Sequence, residues 1–179
     1  MVWHGGRIMN TVIFRLMALE FAVRDYFRPP LHIVNEAGIQ PGHHVLDYGC
    51  GPGSYSIAAA KLAGDTGKVF ALDILPIAVN SVRKKAKRAG IRTIETILAD
   101  GKNGLDSESI DVVLLYDVFH DFSNPSSVLA ELLRVLKPDG RLSFSDHHMK
   151  EDAIIRAMTR DGLFRLDSKG KWTYSFVKA

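Results

Sequence analysis

Three glycines and one acid, spaced D-x-G-x-G-x-G at Asp47, Gly49, Gly51 and Gly53, are the residues best placed to do chemistry in this sequence. They follow the apolar run Val45-Leu46 and precede Ser54-Tyr55-Ser56-Ile57, an order that reads as strand, glycine turn and helix start. Glycine has no Cβ and accepts positive φ, so such a turn lets backbone come close to a ligand. The helix start behind it offers unpaired N–H groups and a positive dipole end. The dinucleotide fingerprint is G-x-G-x-x-G. Here the glycines alternate, and a carboxylate two residues ahead of them would repel a diphosphate but attract an ammonium or sulfonium. The pattern suits a positively charged ligand.

Other acids stand where strands end. Asp73 closes the apolar stretch 68–73, 20 residues after Gly53. In a nucleoside-binding β-α-β unit that position faces the ribose, whose two hydroxyls a carboxylate can accept; the alternative is a capping aspartate before Pro76. Asp100, in Ala99-Asp100-Gly101, can accept from an adenine amine or serve only as a turn residue. Tyr116-Asp117 ends the strand Ile110–Tyr116, and Phe119-His120-Asp121-Phe122 follows at the edge where open α/β sheets place ligands. His120 is the candidate general base for an acceptor that must lose a proton, and a loop histidine is the alternative. Asp146-His147-His148, with Asp117 or Asp121, offers metal-ligand types, but adjacent histidines on an extended chain point to opposite faces. No metal is expected, and lining an acceptor pocket is the preferred role. Cys50 reads as a small loop residue, not a nucleophile.

The elements that must position these groups follow from apolar patterning. A helix is expected over 11–27, stopped by Pro29-Pro30, and a short one over 31–37 ending at Gly38. Strands are expected at 44–48, 68–73, 93–98, 110–116 and 141–145, alternating with helices at 54–62 (Ser54 as N-cap), 76–89 and 125–136. Lys137-Pro138-Asp139-Gly140 reads as a turn. A helix at 151–159 and a hairpin made of 163–167 and 172–177 close the chain. The basic run Arg83, Lys84, Lys85, Lys87, Arg88 reads as a solvated helix face with cations near its C-terminus. No aromatics interleave it, so a nucleic-acid partner is not expected.

At 179 residues, 46% hydrophobic and 24% charged, with net charge +3, the chain reads as one globular domain. No apolar run reaches membrane-spanning length, no signal-peptide layout is expected, and a single cysteine fits a reducing, cytoplasmic setting. Residues 1–30 read as an N-terminal segment and helix able to act as a substrate lid, with Trp3 and His4 as candidate lid residues or as part of a frayed terminus. The apolar face of that helix serves either a homodimer or the core.

Taken in order, Asp47-x-Gly49-x-Gly51-x-Gly53, Asp73, Ala99-Asp100-Gly101 and Leu133-Arg134-Val135-Leu136-Lys137-Pro138-Asp139-Gly140-Arg141-Leu142 resemble the class I S-adenosylmethionine-dependent methyltransferases. Within that class the chain is similar to the menaquinone/ubiquinone-biosynthesis type. Asp139 stands where that family's L-R-x-L-K-P-G-G-x-L signature has a glycine. The resemblance covers 31–179 and implies a methyltransferase domain there. The implied fold is α/β, doubly wound and Rossmann-like, a seven-stranded sheet mostly parallel with an antiparallel C-terminal hairpin strand.

The resemblance also implies S-adenosyl-L-methionine as cofactor and a small-molecule acceptor. Gly49, Gly51 and Gly53 would bind the cofactor, with Gly49 and Gly51 passing its methionine portion. Asp47 would attract the ammonium, Asp73 would hold the ribose, and Ile74 would pack on adenine. Asp100 and Gly101 would meet the adenine amine, and Tyr116 or Asp117 would close the methionine end. Phe119-His120-Asp121-Phe122 is similar to the H-D-W segment of small-molecule O-methyltransferases, whose histidine is a base. The competing readings are an RNA or protein methyltransferase with the same cofactor, and a non-catalytic partner subunit that keeps the fold. Tyr116-Asp117-Val118-Phe119 lacks the [ND]-P-P-[YF] signature of amino-group methylation on adenine or glutamine.

Overall fold

The computed structural model describes residues 11–99 and 103–179. The N-terminal ten residues, with Trp3 and His4, lie outside the described residues, and so do Asp100 and Gly101. One sheet of seven strands organises the chain, in the order β3-β2-β1-β4-β5-β7-β6. The strands are β1 His44–Tyr48, β2 Lys68–Asp73, β3 Ile94–Leu98, β4 Ile110–Tyr116, β5 Leu136–Ser145, β6 Phe164–Lys169 and β7 Tyr174–Lys178. The first five pair in parallel, and β7 lies antiparallel between β5 and β6. The helices are α1 Thr11–Phe27, α2 Pro30–Asn35, α3 Ser54–Ala63, α4 Pro76–Arg88, α5 Pro125–Val135 and α6 Glu151–Thr159.

Both faces of the sheet are covered, which is why β4 is apolar at nearly every position. Val112, Leu114 and Tyr116 pack with Ile33 and Val34 of α2 and Ala58, Ala59 and Ala63 of α3. Val113 and Leu115 point the other way, onto Val128, Leu129 and Leu132 of α5 and Ile154 and Met158 of α6. On α4, Ala78, Val79, Val82 and Ala86 are buried while Arg83, Lys84, Lys87 and Arg88 face solvent, the solvated basic face expected. Among the described residues no helix is long and apolar enough to cross a membrane.

Two local expectations are corrected. Ser54 is not the N-cap of α3; Gly53 is, in a left-handed conformation (φ 90°), and the Ser54 hydroxyl instead accepts from Lys85 Nζ at 3.3 Å. Lys137–Gly140 is not a separate turn but an irregular start of β5. Leu136 pairs with Ile110 and Arg141 with Val112, so the residues between bulge out of the ladder. A Cβ at Gly140 would lie 2.9 Å from Leu136 and 3.0 Å from the Asp111 carbonyl, so glycine is there for space.

The hairpin that closes the sheet is pinned by one carboxylate. Glu36, just after α2, accepts the backbone N–H groups of Lys171, Trp172 and Thr173 and the Thr173 hydroxyl, at 2.9–3.2 Å. This fixes Trp172 at the carboxyl end of the sheet, beside α1.

Candidate active site

The strand order reverses between β1 and β4, and ligands of open α/β sheets bind outside the carboxyl ends at such a switch point. Here the glycine loop leaves β1 and Asp117 leaves β4. A cavity lies between them, walled by Gly49, Cys50, Gly51, Pro52, Tyr55, Asp73, Leu75, Tyr116, Asp117, Val118 and Asp121 and roofed by Met17, Phe21 and Arg24 of α1.

The glycines have different jobs. Gly51 (φ 49°) borders the cavity, and a Cβ there would find only Phe21, at 3.8 Å. At Gly49 (φ 81°) a Cβ would lie 2.6 Å from Val118, and at Gly53 2.7 Å from Val82. Gly51 therefore leaves room on the cavity side, Gly49 lets β1 and β4 approach, and Gly53 lets α3 meet α4; Gly53 does not line the cavity.

Asp73 is 7% exposed and both its oxygens are used: Oδ2 accepts from Gly51 N and Oδ1 from Leu75 N, each at 2.9 Å. Leu75 is the N-cap of α4, which has no side-chain cap, so the Asp73–Leu75 bond is a turn ahead of the helix and the capping alternative does not hold. Asp73 is a buried acid on the cavity wall, with lone pairs to spare. Burial raises its pKa, while the Leu75, Gly51 and Ile74 N–H groups oppose the rise. Leu75, not Ile74, lines the cavity.

Asp47 lies behind the loop, 2% exposed, with its carboxylate accepting the Ser56 hydroxyl; it does not line the cavity. Burial, with the nearby Asp73 charge, raises its pKa to about 7 against the lowering effect of Ser56. Cys50 is buried and its thiol is pushed far up by burial first and then by Asp47 and Asp73, which makes it a poor nucleophile.

At the other end, Tyr116 donates to or accepts from Ser143 at 2.7 Å and packs edge-on against Tyr55. Asp117 adopts φ 51°, rare for a residue with a side chain. Its Oδ2 accepts from Arg24 Nη1 at 3.1 Å, and its Oδ1 accepts from His147 Nδ1 at 2.8 Å and His147 N at 3.2 Å. Arg24 also lies over the rings of Phe21 (4.3 Å) and Tyr55 (5.1 Å).

His120 stands just past this wall. Its Nδ1 lies 2.9 Å from Asp146 Oδ2, and its backbone N donates to the same carboxylate at 3.2 Å. Its neighbour Asp121 lines the cavity; His120 does not. Residues 146–149 form a turn, not an extended run, so the expected opposition of the two histidines fails: the His147 and His148 rings lie 3.9 Å apart and His148 lies 4.3 Å from His120. Among the described residues no group of three or more His, Cys, Asp or Glu is arranged to hold a metal ion.

The sequence did not point to Arg24 or Tyr55, and it put Asp117 beside 146–148 only as an alternative set of metal ligands. Arg24 and Asp117 are 93 positions apart, and only the folded sheet brings α1 over the end of β4.

A family described as methyltransferase domain matches residues 39–178. A ubiquinone/menaquinone biosynthesis C-methyltransferase UbiE of Paraburkholderia phymatum is 36% identical over 125 residues, 69% of this chain and 51% of that protein. A ribosomal protein L11 methyltransferase of Ralstonia nicotianae is 36% identical over 129 residues, 72% of this chain and 40% of that protein. The chain spans about half or less of the length of these relatives. The crystal structure of a SAM-dependent methyltransferase from Aquifex aeolicus is 26% identical, with a TM-score of 0.73 over 83% of this chain and 87% of that one.

Proposed function

From the premise that this chain belongs to the S-adenosylmethionine-dependent methyltransferases, we propose that it transfers the methyl group to a small-molecule acceptor at the β1/β4 edge. The observation that carries the reading is the buried Asp73 carboxylate beside the open Gly51 position on one cavity wall. These residues fit the cofactor. In this proposal Gly49 and Gly51 lie along its methionine portion and Asp73 takes its ribose. Leu75 takes the adenine side in place of Ile74, with Asp100 and Gly101 beyond the described residues. Asp117 and Tyr116 close the methionine end, and Gly53 sets the loop without touching the ligand. Asp47 acts through the loop, its charge favouring the ammonium from behind.

When bound, the cofactor supplies an activated methyl on sulfonium, and transfer is an in-line displacement. Orientation and exclusion of water are then the protein's main tasks. Met17, Phe21 and Arg24 of α1 roof the cavity, so residues 1–30 are proposed as the lid and 31–179 as the catalytic body. The homodimer is proposed through the apolar residues α1 leaves exposed, Leu16, Leu19, Val23 and Tyr26. A small acceptor is favoured by an adjoining cavity of about 290 Å³ and by the likeness to a ubiquinone/menaquinone biosynthesis C-methyltransferase. Likeness to the ribosomal protein methyltransferase supports a second reading, a protein acceptor.

Isothermal titration with S-adenosylmethionine and S-adenosylhomocysteine, with NADH as control, tests the cofactor site. Both of the first two are expected to bind and NADH is not. Asp73→Asn is expected to weaken both by about 10- to 100-fold, the loss of a hydrogen bond to a charged group worth about 1.5–3 kcal/mol. Equal affinity in the variant would remove Asp73 from the site.

For His120 the proposal is a supporting role: ring and backbone both rest on Asp146, which fixes the turn that carries Asp121. His120→Ala is expected to leave cofactor affinity nearly unchanged and to lower turnover severalfold, with no recovery on adding imidazole. Recovery with imidazole would instead make His120 the base.

A further inference from the structure

A groove of about 500 Å³ lies between α3, α4 and the corner where α1 passes into α2. Ser54, Ile57, Ala58 and Lys61 line it from α3, at the i, i+3, i+4, i+7 spacing of one helix face. Lys85 and Arg88, three apart and so neighbours on α4, line it from the other side, and Pro29, Pro30 and Leu31 close it. We propose that this groove binds an alkyl phosphate monoester, with the phosphate on Lys61, Lys85 and Arg88 and the alkyl body on the prolines, Leu31 and Ile57. The site stands on its own residues and does not depend on the methyl-transfer reading.

Lys85 is the centre of the charge. Its side chain is half-buried, and among the described residues its one hydrogen bond goes to the neutral Ser54 hydroxyl, at 3.3 Å. Burial pulls its pKa below the usual lysine value, and the Asp25 charge opposes that. A half-buried ammonium without a carboxylate in contact is short of a counterion. Lys61 and Arg88 are exposed, and among the described residues their side chains make no hydrogen bond or ion pair. The one acid on the wall, Asp25, is already taken by Arg24, Oδ1 to Nη2 at 2.9 Å.

Three cations against one acid leave two positive charges on the groove. A phosphate monoester carries about −1.5 to −2 at neutral pH and has three acceptor oxygens. A carboxylate or a sulfate ester carries a single negative charge and balances only half of it. The rest of the wall is aliphatic, and no aromatic side chain is among the lining residues. A stacked base has no platform there, and a saturated chain is what the walls match. Ser54 is the one residue common to this groove and the first cavity. The two sites are adjacent but separate, so the phosphate ligand and S-adenosylhomocysteine are expected to bind together.

The test is titration calorimetry of the whole chain at pH 7.5 with hexyl phosphate, hexyl sulfate, hexanoate and inorganic phosphate. Hexyl phosphate is expected to bind about 10-fold or more tighter than each of the others. Inorganic phosphate lacks the chain, whose buried methylenes are each worth severalfold, and the other two lack the second charge. Lys85→Gln should weaken hexyl phosphate by about 10- to 100-fold, and Arg88→Gln, at an exposed position, by about 3- to 10-fold. Lys84→Gln, on the same helix but outside the groove, should keep wild-type affinity. Thermal melts check that the variants fold, and Arg88→Gln decides the matter if Lys85→Gln does not. No binding of hexyl phosphate overturns the proposal. Equal affinity for inorganic and hexyl phosphate marks an adventitious ion only and overturns it too. So does displacement by S-adenosylhomocysteine, which puts the ligand in the first cavity. Tighter binding of a single-stranded oligouridylate, weakened equally by Lys84→Gln, makes the basic face of α4 a polynucleotide surface and overturns it as well. Phosphatidic acid vesicles tell the two sources of such a group apart. Flotation of the wild type but not of Lys85→Gln assigns the phosphate to a lipid, absence of flotation assigns it to a soluble monoester, and either result keeps the site.

Discussion

Gly51→Val is expected to give a folded protein that binds neither S-adenosylmethionine nor S-adenosylhomocysteine, a loss of at least about 100-fold, or about 2.7 kcal/mol. The reasoning separates fold from site. A Cβ at Gly51 comes no closer than 3.8 Å to Phe21 and borders the cavity, so the substitution fills the ligand side of the loop and not the core. The remaining fold cost is conformational. Residue 51 sits at φ 49°, and a left-handed residue with a Cβ costs about 1–2 kcal/mol. For a domain of this size that lowers Tm by roughly 2–8 °C. Gly49→Ala and Gly53→Ala should behave in the opposite sense. Their Cβ atoms would fall 2.6 Å from Val118 and 2.7 Å from Val82, so packing at the β1/β4 and α3/α4 contacts must give way. Thermal melts with titration of the three variants check the contrast: binding is lost with the fold kept at Gly51, and stability is lost at Gly49 and Gly53. Wild-type affinity in Gly51→Val would show that the cofactor does not lie along this loop.

That contrast also shows what a sequence can and cannot display. The D-x-G-x-G-x-G spacing announces close backbone approach, but not which glycine faces ligand and which faces a helix, because Val118 and Val82 arrive from distant parts of the chain. β1, β2 and β4 were readable to the residue, since strands buried on both faces are short apolar runs bounded by polar residues. The Lys137–Gly140 stretch has turn composition, yet Lys137 is tied to Asp111 and Gly140 sits under Leu136, which holds it to the edge of β5. Ile74 and Leu75 are equally apolar in sequence; the turn closed by Asp73 Oδ1 and the Leu75 N–H leads into α4, and Leu75 is the one that reaches the cavity. His147 and Asp117 are 30 positions apart, and the pair exists only because β4 and β5 are neighbours whose ends turn toward each other.

Wild-type stability is expected to fall as pH rises from about 4 to about 7 and then to level, and Asp47→Asn should abolish most of that slope. Asp47 is 2% exposed and its pKa is raised to about 7 by burial, against an unfolded value near 3.9. Between those two values the folded chain holds a proton that the unfolded chain has lost. Stability therefore declines with pH across that window, by at most about 4 kcal/mol for three units. The upward shift of buried Asp73 acts in the same direction. Asparagine keeps an acceptor for the Ser56 hydroxyl and carries no charge, so Asp47→Asn should be the more stable protein at pH 8. Urea unfolding at pH 5, 6.5 and 8 checks this; a flat wild-type profile would sink it. The same variant should bind S-adenosylmethionine more weakly at pH 8, because a charge held in a dry site behind the loop acts strongly on a cation in front of it. The buried carboxylate would then lower stability while strengthening cofactor binding, the trade expected of a residue kept for its site.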